Sequence, residues 1–534
     1  MTGAACSTTP SGPSARTVAT EPEGPALEVD GAAAPDAPTT AAAVGPAPAE
    51  AGLPARASAA EAQAARSSRA ALAACLLAGF ATLFDSAAIN FVAPTVSAVL
   101  GGGTAGVQWL LASFSLTFGL GLAPAGRLGD AYGRRALFVV GMGLFVTGGL
   151  GSVLAPDIIV LIAARLAQGL GAGVISAQVL GAVQDLFRGE ERLRALSLYT
   201  GAGALAALLG PLGAGLVLGS LGPELSWRIV LLLPVPFGVA AIVMGLRGLP
   251  SARTAARHEG GPAARRAERL SLDLPAVALL AAVVLLLTLP VVQTGLGGPA
   301  LAAALAAALV AAGVLVLWER AYARRGRLPL FARELVRSRG FLAGNAVALL
   351  WFGANLSVTS VVTIHLLQLS ALTPLWVAVL LAPAALARLC SSLLSGRVFA
   401  AWGPQALLGG LLLQTILLAV LALLSPQLGV TTLAIAAGLV QVGLGLCSGI
   451  VEPPLRVVTL SFATGRTHGV AASFLQLTQR LSATYMVALT TGILLGTAGA
   501  ATGTGLGAAL GVCAAASGLA LLVGLHPTVR RWGR

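Results

Sequence analysis

Polar residues are the exceptions along this chain. From about residue 70 onward, apolar stretches recur, separated by short segments that hold most of the charge. About 20 apolar residues is what one helix needs to cross the hydrocarbon core of a bilayer. The pattern predicts fourteen spans, at roughly 70–94, 106–125, 136–155, 158–183, 195–219, 227–248, 273–293, 299–318, 341–369, 373–395, 405–425, 429–451, 468–495 and 501–525. Residues 1–68 break the pattern. They are rich in Ala, Pro, Thr and Gly and poor in aromatic and branched apolar residues, which predicts a disordered tail. No short apolar core follows a basic start, so the first span, not a cleaved leader, is the expected insertion signal.

The charged segments alternate. Arginines stand before the first span (Arg66, Arg69) and between spans two and three (Arg127, Arg134, Arg135). They recur between four and five (Arg188, Arg192, Arg194), six and seven (Arg247 to Arg269), and eight and nine (Arg320 to Arg339). Arg397, Arg456, Arg466 and the terminal Arg530, Arg531 and Arg534 continue the series, whereas the intervening loops hold only Arg228. The positive-inside rule then places both termini in the cytoplasm, which requires an even number of spans. The expectation is a multi-pass protein of the cell (plasma) membrane.

Composition adds one exclusion and removes one inference. At 57% hydrophobic residues and a mean hydropathy of +0.88, the chain is not a soluble globular protein. The formal charge of +13 lies in short loops, where it sets orientation, so no nucleic-acid partner is inferred. All 33 basic residues are arginine, which reads as coding bias. The five cysteines are scattered, without metal-ligand spacing, and no metal site is expected.

One stretch organises the rest. Gly126 to Arg135, GRLGDAYGRR, puts four charges and three glycines into ten residues of a chain that is 10% charged. Glycines there would let two helix ends turn tightly and approach closely. A degenerate copy, GRVFAAWGPQ, stands at Gly396 to Gln405, shifted by 270. The chain thus looks duplicated, with parallel halves about an axis along the membrane normal, a common way to build a transporter.

Charges inside spans are costly and need a reason. Asp85 in the first span, in LFDSAAINFVAP, is the one acid well inside a span. It is a candidate proton carrier, or else the partner of an interior arginine such as Arg165 in a structural ion pair. Arg165 and Gln168 share a face of the fourth span; they tune a neighbouring acid or form a packing network. Gly169 and Gly173 make a GxxxG pair that favours close helix packing. In the fifth span, Pro211 predicts a bend, with Gly210, Gly213 and Gly215 permitting a close neighbour. Asp130 with Arg134 or Arg135 is either a latch between helix ends or a solvated loop charge. In the second half, Asn345, Asn355, His365 and Gln368 are polar groups that face a cavity or satisfy packing. Arg388 and Arg480 need partners, for which Glu452 is one candidate.

These segments resemble the major facilitator superfamily, in its fourteen-span drug:proton antiporter branch. GRLGDAYGRR resembles the signature loop of that family, RLAQGLGAG its fourth-span motif, and GPLGAG its fifth-span antiporter motif with Ala214 in place of a glycine. DSAAINFVAP resembles the first-span motif through Asp85, Asn90 and Pro94. Gln108-Trp109 opens the second span as in that branch, WRIVLLLPVP resembles the sixth-span start, and HLLQ from His365 to Gln368 resembles the ninth-span pattern.

The resemblance implies an all-α integral membrane fold of two six-helix bundles, residues 69–248 and 341–525. Two inserted helices lie within 249–340, and a cytoplasmic tail follows at 526–534. It implies alternating access and proton-coupled export of hydrophobic or cationic small molecules. The expected partners are the lipid bilayer, protons and a small-molecule substrate, with the protein a monomer and no cofactor beyond the proton gradient. Carried over, Asp85, Asn90, Arg165, Gln168, His365 and Gln368 belong to coupling or the substrate cavity. Gly126, Asp130, Gly133, Arg134 and Arg135 belong to a cytoplasmic gate, and Gly210, Pro211 and Gly215 to the antiporter bend. The competing readings are a facilitator without proton coupling and a non-transporting sensor or scaffold on the same fold. No nucleophile–base pair or phosphate loop points to an enzyme.

Overall fold

The computed structural model describes residues 53–250, 273–292, 298–325, 333–370, 372–463, 468–496 and 504–525. The basic segment 251–272 and the terminal segment 526–534 lie outside them. The described residues are helical, with no strand among them. The first half comprises α1 (Leu53–Val99), α2 (Gly103–Tyr132), α3 (Arg134–Val153), α4 (Ile158–Leu186), α5 (Gly189–Ser220), α6 (Pro223–Leu232) and α7 (Pro234–Gly248). Next come α8 (Leu274–Val292), α9 (Gly298–Arg324) and the short α10 (Arg333–Arg337). The second half comprises α11 (Arg339–Ile364), continued by one π turn (His365–Leu369), α12 (Pro374–Trp402), α13 (Pro404–Leu424), α14 (Val430–Ser461), α15 (His468–Gly496) and α16 (Thr504–Gly524).

The helices exceed the apolar spans in ways that the backbone explains. Helix α1 begins at Leu53, inside the segment that composition assigns to a disordered tail. The turns ahead of the span are rich in Ala and Arg, which favour helix. Likewise α2 runs through Tyr132, so most of GRLGDAYGRR is helix and the turn shrinks to Gly133. The sixth span is interrupted at Leu233, where Pro234 opens α7 because it has no N–H to continue α6. Among the described residues, twelve helical spans have the length and hydropathy to cross a bilayer. Helix α8 is a shorter apolar helix. Helix α15 is not among the twelve, since Gln476, Gln479, Arg480, Thr484, Thr490 and Thr491 dilute its hydropathy. That polarity sits on a helix between the two halves.

The duplication is visible in the backbone. Gly133 joins α2 to α3 with φ 94°, and Gly403, 270 residues on, joins α12 to α13 with φ 56°. Only glycine adopts such angles without strain. Within the first half, α4 packs on α2 and α3; within the second, α14 packs on α12 and α13. The halves meet through α2 against α15 and α5 against α12. Under the repeat, α2 corresponds to α12 and α5 to α15, so each contact is the image of the other. The inserted pair packs together, and α8 lies against both α2 and α15, along that seam.

The core divides unevenly along the helices. At the end away from the arginine-rich segments, one core runs across both halves. It joins Phe84, Phe91, Val92 and Trp227 with Val358, Val361, Val377 and Leu433. Toward the basic end each half has a large core of its own. One, with Phe138, Met142, Phe145 and Ile175, belongs to the first half; the other, with Trp351, Leu411 and Val451, belongs to the second. The shared core is therefore extensive at one end, the sealed end, while toward the other the halves meet through a small cluster, Leu116 and Leu477 with Ala276, Leu280 and Val284 of α8. Outward-facing leucines such as Leu309, 75% exposed, and Leu393, 76%, make the apolar belt that a bilayer would cover.

Candidate functional site

The GxxxG pair brings α4 against α2 so closely that nothing larger than glycine fits. A Cβ on Gly169 would lie 2.3 Å from Phe114 O, and one on Gly173 would lie 2.1 Å from Phe118 O. Thr117 Oγ1 donates to Leu166 O at 2.7 Å across the same crossing. This contact carries Arg165, one turn earlier on α4, into the middle of the first half. Its side chain is 0% exposed and Asp85 is 2% exposed.

There the guanidinium meets its counter-ion. Arg165 Nη1 donates to Asp85 Oδ1 at 2.8 Å and Oδ2 at 2.6 Å, and to Gln168 Oε1 at 2.9 Å. Gln168 Nε2 donates back to Asp85 Oδ1 at 3.2 Å. The Phe114 ring covers the guanidinium, with Cζ 4.8 Å from the ring centroid. Arg165 Nε and Nη2 are buried without an acceptor among the described residues. Asp85, Arg165 and Gln168 thus form one closed network. The ion-pair alternative for Asp85 is the geometry observed, and a proton on Asp85 would break that pair. Taking both charges out of water costs several kcal/mol per ion, returned only while the pair and its hydrogen bonds persist. A proton added to Asp85 would therefore leave an uncompensated buried Arg165.

Helix α1 ties this network to the seam. A Cβ on Gly210 would lie 2.9 Å from Ala87 Cβ and 3.0 Å from Phe84 O, so α5 rests directly on the turn that carries Asp85. Helix α5 continues unbroken through Pro211; its glycines, more than the proline, set the contact. One turn on, a Cβ on Gly215 would lie 2.8 Å from both Ala378 Cβ and Pro374 O of the other half. Asn90, expected at coupling or the substrate cavity, accepts a hydrogen bond at 2.7 Å from Ser360 of α11 and so joins the halves. The equivalent of Asp85 under the 270-residue shift is Asn355, which accepts from Ser448 of α14 at 2.7 Å. The second half thus joins the corresponding pair of helices through neutral groups, with Ser448 at the position of Gln178 and not of Arg165.

The other expected residues fall elsewhere. His365 is buried at the start of the π turn, with Nδ1 unpartnered among the described residues. Gln368 lines a cavity of about 140 Å³ with Pro94, Ser97 and Thr104 at the sealed end. No hydrogen bond or ion pair among the described residues joins either to the Asp85 network. A helix pattern cannot reveal this, because it gives spacing along one helix but not the depth at which two helices cross. At the basic end, Arg134 Nε pairs with Asp185, on the last turn of α4. Gly181 makes room for that guanidinium. The side chain of Asp130, the expected latch partner, lies outside the described residues. Arg135 is half-buried, and Gly126 has open space where a Cβ would stand, so close approach does not require it. In the second half, Glu452 holds two arginines, Arg388 at 2.5 Å and Arg456 at 3.4 Å. Arg480 lies over Phe118, 3.7 Å from the ring centroid. Phe118 is the residue that motif reading missed, since an aromatic in an apolar run carries no signal of its own. Among the described residues no group of three or more His, Cys, Asp or Glu could hold a metal.

Known proteins agree with this architecture. The sequence pattern that defines the Major Facilitator Superfamily matches residues 75–487. The chain is 32% identical over 427 residues to the probable actinorhodin transporter of Streptomyces coelicolor, covering 79% of this chain and 71% of that protein. It is 30% identical over 429 residues to the drug efflux pump JefA of Mycobacterium tuberculosis, covering 79% of each. The fold is similar to that of the E. coli xylose transporter XylE in an inward-open conformation. The TM-score is 0.57 at 14% identity, over 87% of this chain and 96% of that one.

Proposed function

The chain is a membrane transporter of the Major Facilitator Superfamily, and we propose that it exports hydrophobic small molecules in exchange for protons by alternating access. The observation that carries this reading is the Asp85–Arg165–Gln168 network: a buried carboxylate whose charge state and packing are inseparable. It stands on α1, one turn before Asn90, the residue that binds the other half. Protonation changes the relative stability of two states only if the group is held differently in each. Here the ionised Asp85 is fully paired in a state sealed at one end. In an exchange, a proton taken up at Asp85 while the site faces outward would be released to the cytoplasm in this state, where ionised Asp85 pairs with Arg165 and holds α1 against α4.

Orientation follows from charge. With the arginine-rich end in the cytoplasm, this is the inward-facing state, with a plasma-membrane protein acting as a monomer. Relatives named as an actinorhodin transporter and a drug efflux pump support export rather than uptake. The test is accumulation of fluorescent lipophilic compounds in inverted membrane vesicles under an imposed pH gradient, acid inside. Export coupled to protons predicts accumulation that collapses when a proton–cation exchanging ionophore removes the gradient. Accumulation insensitive to the gradient would establish a facilitator instead.

A further inference from the structure

We propose that the substrate site of this transporter takes an anion: Arg480 pairs with a carboxylate carried by an aromatic, otherwise apolar substrate. The inference deepens the export reading above and rests on it. The charge balance of the interior leads to it. Among side chains described beyond the first turns of the bundle helices, the acids are Asp85, Asp185 and Glu452. Each already holds an arginine: Arg165, Arg134, and both Arg388 and Arg456. None remains for a cationic substrate.

Arg480 has the opposite condition. Its guanidinium makes no hydrogen bond or ion pair among the described residues, and its one close partner is the face of Phe118, at 3.7 Å. The charged or ionisable groups near enough to act on it are Tyr199 of α5 and Glu452 and Arg456 of α14. Glu452 is shared with two other arginines, so the three guanidiniums leave a surplus of positive charge around a single carboxylate. Residue 480 stands twelve positions into α15, about 18 Å along the helix axis at 1.5 Å per residue. That depth is beyond a lipid headgroup. An unpaired guanidinium at such a depth is costly, and Arg480 is half-buried.

The surroundings fit an aromatic acid. Gln476 lies four residues before Arg480 and therefore on the same helix face. It accepts from Ser176 of α4 at 3.5 Å, a long contact that a ligand could displace. Gly119 lets α2 approach, with a Cβ there 3.4 Å from Arg480 Cβ. The Arg480 guanidinium lies over the Phe118 ring where α15 packs on α2. A fork of N–H donors next to an aromatic surface binds a planar carboxylate at two points. A cation at the same place would meet Arg480 and Arg456, with Glu452, the acid near them among the described residues, already shared with Arg388 and Arg456. The proposal keeps the hydrophobic cargo expected from the sequence and replaces the cationic alternative with an anionic one.

The test measures binding by the full chain in lipid nanodiscs, without a proton gradient, for three probes of one shape: 1-naphthoate, 1-naphthamide and 1-naphthylmethylammonium. Naphthoate is expected to bind about ten- to hundredfold more tightly than the amide, the value of a hydrogen bond to a charged group, with the ammonium weakest. Arg480→Gln should bring naphthoate down to the amide, Arg480→Lys should keep part of the preference, and Arg480→Glu should favour the ammonium. A wild-type preference for the ammonium, equal binding of all three, or binding of none overturns the proposal. So does a naphthoate preference that survives Arg480→Gln. The wild-type order needs no variant to fold. Because no gradient is present, failure of proton-coupled export would leave this order intact, and failure here would leave the gradient assay unaffected.

Discussion

Replacing Asp85 by Asn should destabilise the protein far more than the size of the change implies, and a second substitution at Arg165 should restore most of the loss. Asparagine keeps one carbonyl oxygen but removes the charge and turns a donor toward Arg165 Nη1. At least one of the two contacts, at 2.8 and 2.6 Å, is then lost. Arg165 is 0% exposed, so no water takes the place of the lost acceptor. Breaking a buried pair by removing one partner typically costs about 3–5 kcal/mol. Removing both charges, as Asp85→Asn with Arg165→Gln, leaves neutral groups that can bond with Gln168 and should recover at least about 2 kcal/mol of that. In a cooperative unit of this size each kcal/mol is worth about 1–2 °C, because the entropy of unfolding grows with chain length. The single variant should therefore melt about 3–10 °C below wild type, and the double variant above the single. The assay is thermal unfolding of the purified protein in detergent, followed by intrinsic fluorescence. Additive losses in the double variant would refute the argument, because they would show that the two charges do not compensate each other.

Other consequences can be checked with the same material. Gly173→Leu should abolish folded, monodisperse protein, since its Cβ would stand 2.1 Å from a backbone oxygen of α2; size-exclusion chromatography decides this. Asp185→Ala should shift the melting temperature little, because its carboxylate is half-exposed and exposed ion pairs contribute about 0–1 kcal/mol. A melting shift as large as that of Asp85→Asn would contradict this. A cysteine at Ser176, half-buried and held to the other half by one long hydrogen bond, should react readily with a small water-soluble maleimide. One at Ser360, buried on the sealed seam, should react at least tenfold more slowly at rest. Equal rates would show that the sealed end is not sealed.

The sequence carries the outline of this molecule and less of its site. Most spans and the duplicated turn are legible because each is a local pattern: 20 apolar residues, or a glycine where two helices must reverse; of the fourteen expected spans, twelve have spanning length and hydropathy among the described residues. Gly133 and Gly403 show it most plainly, since one shift of 270 finds both and both take positive φ. The pairing of Asp85 with Arg165 is legible only as one of two alternatives. It depends on the depth at which α1 crosses α4, set by GxxxG packing against α2 rather than by spacing around Asp85. For the same reason Arg134 reaches Asp185, Asn90 reaches Ser360, and His365 and Gln368 fall toward the sealed end. Glu452 could be named beforehand as a candidate partner for Arg388. That Arg456 shares it, and that Arg480 finds no acid of its own, depends on how α12, α14 and α15 pack.

The central claim is that Asp85 couples proton movement to export. Proteoliposomes holding an internal pH dye, challenged with lipophilic anions, cations and neutral compounds, test it most directly when wild type is compared with Asp85→Asn. The account predicts substrate-dependent proton flux in wild type and none in the variant, even where the variant still binds the substrate. Flux that persists in Asp85→Asn would contradict the account and remove Asp85 from coupling.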